Sequence, residues 1–427
     1  MSIVKLKVLI NWGLLLMVIL ITLELSPYII GRYFLHHPFS RKEIRQELKA
    51  AEPKTDTLEL PNTNTDGYLG DHILHPYLGF VSIPHPDYNE FNLPGINPLT
   101  KKSPDKVNIV IMGGSVAKDI YSYTGDRIIQ NLKRSKDFEN KEINLIVFAL
   151  GGFKQPQQLI ALNYFMALGA EYDILINIDG FNEIVLPYAD NLPNHVFPSY
   201  PRHWNIYSRK KLDSKVLLLM GKQAIANEKI QQDKTFISGS VLRYSNLALF
   251  IWKLVDTKRK GTFAELEAKL RTATENSETD YQSTGIYTTI KDTLSFFREQ
   301  AAFWMRSSKQ IAQLSHSAGI EYFHFLQPNQ YDEGSKVLTE AEKNIAFENG
   351  PFAYKDAARA GYPLLREQSL ILSYEGVNFI DLSLLFKEEK RTVYNDKCCH
   401  FNQLGYDIIA DRICREIVLR MENNSKK

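Results

Sequence analysis

Cysteine is scarce in this chain, which has only three cysteines, Cys398, Cys399 and Cys414, among its 427 residues. At least one thiol therefore has no partner within the chain, and no C-x-x-C pair is present. The sequence thus excludes a disulfide-rich scaffold and a cysteine-based structural zinc site. The histidines before residue 105 lack the H-x-x-x-H spacing of a helical metal site, so we expect no metal and no cofactor.

An excess of one charge is also missing. The chain has 51 Lys and Arg against 49 Asp and Glu, a net charge of +2. Nucleic-acid binding relies on concentrated positive charge, so the sequence gives no basis for a nucleic-acid partner. The glycine-containing segment "GGSVAK", residues 113–118, has neither G-x-x-x-x-G-K-[ST] nor G-x-G-x-x-G spacing, which argues against a phosphate-binding loop.

The longest hydrophobic run lies at the N-terminus. Residues 8–23 carry no charge, and apolar character resumes after Glu24 and continues to residue 30. A membrane helix needs about 20 apolar residues, and Trp12 and Tyr28 suit its two headgroup regions. The alternative is a cleaved signal peptide, but no small-x-small cleavage site follows the run. We therefore predict an uncleaved transmembrane anchor over residues 1–30.

The orientation of this anchor is inferred from the basic residues that flank it. Lys5 and Lys7 precede the hydrophobic run, which favours a cytoplasmic N-terminus and an extracytoplasmic body. Arg32 and Arg41 on the far side argue in the opposite direction. The expectation is a single-pass membrane protein whose body lies on the periplasmic or outer side.

The rest of the chain divides by composition. Residues 31–105 are rich in His, Pro, Asn, Asp and Gly and are interpreted as a connector of turns and short strands rather than core. Residues 106–422 alternate between apolar runs and helical patterns. The stretch from about 190 to 290 is too long for one crossover and is interpreted as a helical insertion.

Five short apolar runs have the pattern of strands buried on both faces of a parallel sheet. They are residues 107–112, 143–150, 172–179, 320–327 and 377–383. Helical segments lie between them, so the sequence predicts a three-layer α/β/α sandwich.

Polar residues and glycines follow several of these strands, and ligands of such sheets bind beyond the carboxyl ends of the strands. Ser115 follows the first predicted strand, Gly152 the second and Asn182 the third, while Asp396 and His400 come near the chain end. Taken singly, a serine here is typical of a helix cap, a Gly-Gly pair of a turn, and Asn182 or His400 of further caps.

Taken together, these residues supply the parts of a nucleophilic acyl-transfer site. A serine hydroxyl at position 115 needs a base, which His400 can be, and Asp396 can orient that base. The backbone amides of Ser115 and Gly152 and the side-chain amide of Asn182 are candidate donors for an oxyanion hole.

The motifs "GGS", "GGFKQPQQL", "GFNE" and "DKCCHFNQLGY" occur in the order Ser, Gly, Asn, His, and the chain resembles the SGNH hydrolase superfamily of GDSL-like esterases over about residues 106–420. The resemblance implies a flavodoxin-like five-stranded parallel sheet and an esterase. It also implies Ser115 as nucleophile, His400 as base, Asp396 as its orienter, and Gly152 and Asn182 in the oxyanion hole.

Three positions depart from the family pattern. Gly114 stands where an aspartate is usual, Glu183 replaces another aspartate, and Asp396 and His400 are separated by one residue more than in D-x-x-H. The last departure leaves open a Ser-His dyad instead of a triad. The predicted substrate is an acyl ester, such as an O-acetyl group. Two alternatives remain open, an O-acyltransferase that modifies a surface glycan and a non-catalytic glycan- or partner-binding protein.

Overall fold

The computed structural model describes residues 3–34, 38–49, 72–208, 214–275, 281–286, 290 and 292–424. The chain forms two compact units. The first comprises residues 1–65 and 210–278, and the second comprises residues 66–209 and 279–427. The middle of the predicted connector, residues 50–71, lies outside the described residues.

The second unit is built on a five-stranded parallel sheet. Its strands are β3 (Lys106–Gly113), β4 (Glu142–Ala149), β5 (Ile174–Asp179), β6 (Glu321–Leu326) and β7 (Asn378–Asp381). Their order across the sheet is β4-β3-β5-β6-β7, and all four pairings are parallel. This is the flavodoxin-like doubly wound order, in which the direction of winding reverses between β3 and β5. A separate antiparallel pair consists of β1 (His72–His75) and β2 (Gly79–Ser82).

The α-helices of the second unit lie mostly between these strands. They are α3 (Ser115–Leu132), α4 (Gln157–Ala167), α5 (Phe181–Leu186), α6 (Trp204–Tyr207), α9 (Tyr281–Thr284), α10 (Thr293–Ser317), α11 (Glu340–Ile345), α12 (Ala353–Tyr374) and α13 (Gln403–Asn424). The first unit contains α1 (Ile3–Tyr33), α2 (Arg41–Lys49), α7 (Ser214–Gly239) and α8 (Asn246–Glu275).

Both faces of the sheet are buried. In β3, Ile109 and Ile111 face a cluster that includes α3 and α13, whereas Val110 and Met112 face a cluster that includes α4. Successive side chains of a strand point to opposite faces, so a strand covered on both sides needs an almost unbroken apolar run. The structure therefore confirms the predicted α/β fold with its five parallel strands and helical insertion.

The end of the predicted connector belongs to the core of the second unit. Leu78, Phe80 and Leu93 are at most 1% exposed and pack in the cluster that covers one face of the sheet. The ring of Phe80 contacts that of Phe153 at 5.2 Å between centroids. The interpretation of this segment as lying outside the core was therefore wrong, because its Pro- and Asn-rich composition hides a few well-placed apolar side chains.

The first unit joins the N-terminal helices to a helical hairpin formed by α7 and α8. Ile44, Ile237, Leu249 and Trp252 form a small buried cluster between α2 and the hairpin. Residues Asn11–Tyr33 of α1 are long and apolar enough to cross a membrane, and most of this stretch is exposed. The carboxylate of Glu24 on α1 accepts hydrogen bonds from the Ser245 hydroxyl and the Asn246 backbone amide at the start of α8.

Candidate active site

The predicted site residues lie at the carboxyl edge of the sheet. Ser115 is the first residue of α3 and directly follows the end of β3, with Gly114 as the residue before the helix. Asn182 lies in the first turn of α5, three residues after β5 ends. Gly152 follows β4, and His400 precedes α13. The parallel strands thus deliver residues that are distant in sequence to one edge, as expected for a doubly wound sheet.

Ser115, His400 and Asp396 form a continuous hydrogen-bonded chain. The Nε2 atom of His400 lies 2.8 Å from Oγ of Ser115, and Nδ1 of the same ring is hydrogen-bonded to Oδ2 of Asp396. A ring nitrogen that donates to a carboxylate leaves the other nitrogen free to accept the hydroxyl proton. The structure therefore brings these three predicted residues together in the arrangement of a triad.

The turn that contains Asp396 explains how four residues of separation are accommodated. Oδ1 of Asp396 accepts backbone N–H groups from Cys398 at 2.9 Å, Cys399 at 3.0 Å and His400 at 3.2 Å. The chain therefore wraps around one carboxylate oxygen, while the other oxygen reaches the imidazole. This turn accommodates the extra residue of D-x-x-x-H and still brings the carboxylate within hydrogen-bond distance of the imidazole.

The electrostatics of the pair favour a charged imidazole. Burial opposes the charge on His400, but its hydrogen bond to Asp396 and the negative charge of that carboxylate raise its pKa to about 9. Burial works against the Asp396 carboxylate as well, yet its hydrogen bonds and the charge of His400 lower its pKa below the usual range. The carboxylate thus stabilises the imidazolium that forms when His400 accepts a proton.

The side-chain amide of Asn182 lies beside Gly114, the residue that precedes the serine. Nδ2 donates to the carbonyl oxygen of Phe153 at 2.7 Å. A Cβ atom built on Gly114 would lie 2.2 Å from the same nitrogen and 3.1 Å from the same carbonyl oxygen. The amide nitrogen carries two hydrogens, so this bond fixes its orientation and leaves a second donor.

Glu183, one of the three departures from the family pattern, ties two loops of the site together. Its carboxylate accepts the backbone N–H of Gly180 at 2.7 Å and that of Gln155 at 3.0 Å. It also accepts the side-chain amide of Gln158 at 3.2 Å. Burial and the charge of Asp179 raise the pKa of Glu183 to about 8. The longer glutamate side chain therefore links the loop after β4 to the loop after β5.

Gly152 lies in the loop that follows β4, with a φ of 77° that favours glycine. A Cβ atom at this position would lie 3.0 Å from Cδ of Arg202. The neighbouring Lys154 is buried, and its Nζ donates to the carbonyl oxygens of Pro198 and Tyr200, each at 2.6 Å. Burial lowers the pKa of Lys154 to about 7. The loop is thus fixed on both sides of Phe153.

A buried polar cluster behind the site was missed by sequence reasoning. Oδ1 of Asp179, at the end of β5, lies 2.7 Å from Nε2 of His324 on β6 and accepts the indole N–H of Trp304 at 2.6 Å. Burial works against the Asp179 carboxylate, but the charge of His324 and these hydrogen bonds lower its pKa. The only sequence signal was polar residues inside two otherwise apolar strands.

The three cysteines form no disulfide, and two of them, Cys398 and Cys399, directly precede His400. Sγ of Cys398 and Sγ of Cys399 are 3.2 Å apart, and Cys414 is buried on α13. The side-chain ligand atoms of Cys398, Cys399 and His400 lie within 4.8 Å of one another. Both ring nitrogens of His400 are engaged by Asp396 and Ser115, so a metal ion would have to displace one of them.

No protein-family model and no curated protein matches the chain. Among solved structures it is similar to a protein described as an acylhydrolase from Bacteroides fragilis, with 11% identity, a TM-score of 0.36, and coverage of 76% of this chain and 91% of that chain. A GDSL-like lipase from Bacteroides thetaiotaomicron has 8% identity and a TM-score of 0.33, and the match covers 74% of this chain and 88% of that chain. A lipase/acylhydrolase from Enterococcus faecalis has 12% identity and a TM-score of 0.30, and the match covers 74% of this chain and 96% of that chain. Activity is therefore inferred from the geometry of the site alone.

Proposed function

We propose that this chain is a serine esterase of the SGNH type. The observation that carries the proposal is the 2.8 Å distance between Oγ of Ser115 and Nε2 of His400, with Asp396 bonded to the other ring nitrogen. A serine held against a neutral imidazole can lose its proton as it attacks a carbonyl carbon. His400 becomes an imidazolium when it accepts this proton, and it then donates the proton to the leaving alcohol.

The proposed reaction proceeds through an acyl-enzyme. Attack by Ser115 forms a tetrahedral intermediate, whose oxyanion accepts hydrogen bonds from the backbone amides of Ser115 and Gly152 and from the side chain of Asn182. Collapse of the intermediate expels the alcohol and leaves the acyl group on Ser115. His400 then activates a water molecule, which releases the acid and regenerates the serine. A small acyl group such as acetyl is the proposed substrate class.

We also propose that α1 anchors the protein with its body outside the cytoplasm. The apolar stretch Asn11–Tyr33 and the preceding Lys5 and Lys7 support this topology. Protease added to spheroplasts should digest the body of the protein. A protected body would contradict the topology, and a soluble product that begins beyond residue 26 would indicate a cleaved signal peptide.

The decisive test of the chemistry is labelling with a fluorophosphonate probe followed by peptide mapping. Such probes react with serines activated by a neighbouring base, so the adduct should map to Ser115. Ser115→Ala should abolish labelling. Ser135→Ala is the matched control and should leave labelling intact, because Ser135 is a buried serine just beyond the other end of α3. Folded protein that resists the probe while hydrolysing no acetyl ester would overturn the proposal and favour a binding role.

A further inference from the structure

The last turn of α7 and the segment that joins it to α8 carry a cluster of exposed apolar and aromatic side chains. Phe236, Val241 and Tyr244 are 66%, 81% and 59% exposed, and Leu242 is 40% exposed. Turns between surface helices are normally polar, and exposed apolar clusters of this kind mark interaction sites. We call residues 236–244 the hairpin tip.

The hairpin tip directly precedes the part of α8 that contacts α1. Asn246, at the start of α8, donates its backbone N–H to the carboxylate of Glu24. Further along α8, the ring of Phe250 contacts Phe39 at 5.9 Å between centroids, and Phe39 contacts Tyr28 at 5.0 Å. Helix α8 therefore runs from Glu24 toward the C-terminal end of α1. The tip precedes Asn246, so we infer that it lies on the side of Glu24 that carries the uncharged run, residues 8–23.

The length of that run places Glu24 inside the membrane boundary. Residues from Val8 to Leu23 extend about 24 Å along the helix axis, at about 1.5 Å per residue. The hydrocarbon core of a bilayer is about 30 Å thick. Glu24 would therefore lie at the edge of the hydrocarbon region, where a carboxylate without hydrogen-bond donors is energetically costly. The donors that Glu24 has are those of Ser245 and Asn246, directly after the tip.

Basic side chains surround the hairpin tip. Nη2 of Arg41 donates to the carbonyl oxygen of Tyr244 at 2.8 Å, and Nη2 of Arg45 donates to that of Arg243 at 3.5 Å. The guanidinium of Arg243 lies 4.9 Å from the centroid of the Tyr244 ring. Guanidinium groups next to exposed apolar and aromatic side chains match the chemistry of the lipid headgroup region, where anionic phosphates overlie the acyl chains.

We propose that the hairpin tip is a second membrane contact that inserts into an anionic lipid bilayer beside α1. Phe236, Val241 and Leu242 enter the boundary between headgroups and acyl chains, while Arg41, Arg45 and Arg243 face the phosphates. This inference rests on the proposed membrane anchor. It assigns Glu24 a structural role, because this residue joins the anchor to the inserted tip.

The test uses the full chain in vesicles of phosphatidylcholine and phosphatidylglycerol. Val241→Cys is labelled with the environment-sensitive dye NBD, and quenching is measured with lipids that carry a doxyl group near the headgroup. Ile225→Cys on α7 is the matched control, because this residue is also exposed and lies about 20 Å along the helix from the tip. Ile19→Cys on α1 reports the anchor. Wild-type protein labelled in parallel gives the contribution of the half-buried Cys398.

The expected result is a blue-shifted probe at position 241 that loses about half of its emission to doxyl lipids, with no quenching at position 225. Quenching at 19 together with equal, weak signals at 241 and 225 would overturn the insertion of the tip while leaving the anchor intact. An unquenched probe at 19 would overturn the anchor and the tip together. Equal quenching at 241 in vesicles of phosphatidylcholine alone would overturn the preference for anionic lipid.

Discussion

The side-chain amide of Asn182 occupies the space in which a side chain on residue 114 would stand. A Cβ atom on Gly114 would lie 2.2 Å from Nδ2 of Asn182, well inside van der Waals contact. The glycine that replaces the usual aspartate of the family pattern is thus matched to the position of the asparagine. The two residues form one structural unit at the edge of the sheet.

Substitution of Gly114 should therefore impair catalysis through Asn182. Gly114→Ala should lower kcat on an acetyl ester by about a hundredfold or more, because the displaced amide no longer reaches the oxyanion. Gly125→Ala on α3 is the matched control, since its nearest neighbouring atom would be 3.6 Å from the new Cβ. The control should keep full activity and gain up to about 1 kcal/mol of stability from helix propensity. Equal kinetics for both variants would disprove the coupling.

Asn182 itself is predicted to act as an oxyanion donor. Asn182→Ala should lower kcat by about a hundredfold or more with little change in KM, and Asn182→Asp should be no better because a carboxylate repels the oxyanion. Asn108→Ala is a suitable control, because Asn108 is a buried asparagine whose amide bonds two backbone carbonyls at the opposite end of β3. That variant should lose stability but not kcat. An active Asn182→Asp variant would remove this residue from the mechanism.

Asp396 distinguishes a triad from a dyad. In Asp396→Asn the new amide would donate toward Nδ1 of His400 and favour the wrong tautomer, so kcat should fall by about ten-thousandfold. Asp411→Asn, which alters a surface carboxylate paired with Arg127, should leave kcat unchanged. Circular dichroism verifies that both variants fold. If Asp396→Asn keeps most of its activity while His400→Ala is inactive, the site works as a dyad.

The pH dependence of kcat/KM should report the raised pKa of His400. The base must be neutral to accept the serine proton, so activity should rise with pH and level off above about 9. Asp396→Asn should shift this limb to lower pH, because burial then lowers the pKa without an opposing carboxylate. The profile is measured with the uncatalysed hydrolysis subtracted. A limb near pH 6.5 in the wild type would contradict the raised pKa of His400.

The same pKa shift links protonation to stability. The folded pKa of His400 lies above its unfolded value of about 6.5, so the charged imidazole stabilises the folded state fully below that pH. This contribution should be lost as pH rises from about 6.5 to 9. Thermal melts across this window, with His400→Ala as reference, measure the effect without any substrate. If the stability of His400→Ala changes with pH as that of the wild type does, a group other than His400 titrates in this range.

The strands were predictable because of where they lie. The first apolar run, residues 107–112, falls within Lys106–Gly113, and the run 143–150 nearly coincides with Glu142–Ala149. Parallel strands covered on both faces leave a continuous apolar signal, and the helices between them supply the covering layers. The residues at the strand ends were predictable for the same reason, since a known sheet edge brings them together.

Other features depend on contacts that a sequence does not display. Whether Asp396 reaches His400 depends on the conformation of the intervening turn, which three backbone amides determine. The link made by Glu183 depends on a partner, Gln155, that comes from another loop. The burial of Phe80 arises from long-range packing against Phe153. Local composition suggested a linker there, because Pro and Asn are typical of turns and loops. Tertiary packing overrides that local signal.

The pairing of β5 with β6 has a consequence for how the protein folds. Strand β5 ends at Asp179 and β6 begins at Glu321, with both long helices of the hairpin between them in sequence. Closing such a long loop carries an entropic cost and slows the search for native pairing. Until β6 arrives, Asp179 lacks His324 and stays hydrated, so we expect a partly formed sheet with an open edge. A nascent chain should therefore remain sensitive to proteases, and inert toward activated-ester probes, until its last strands and His400 have emerged.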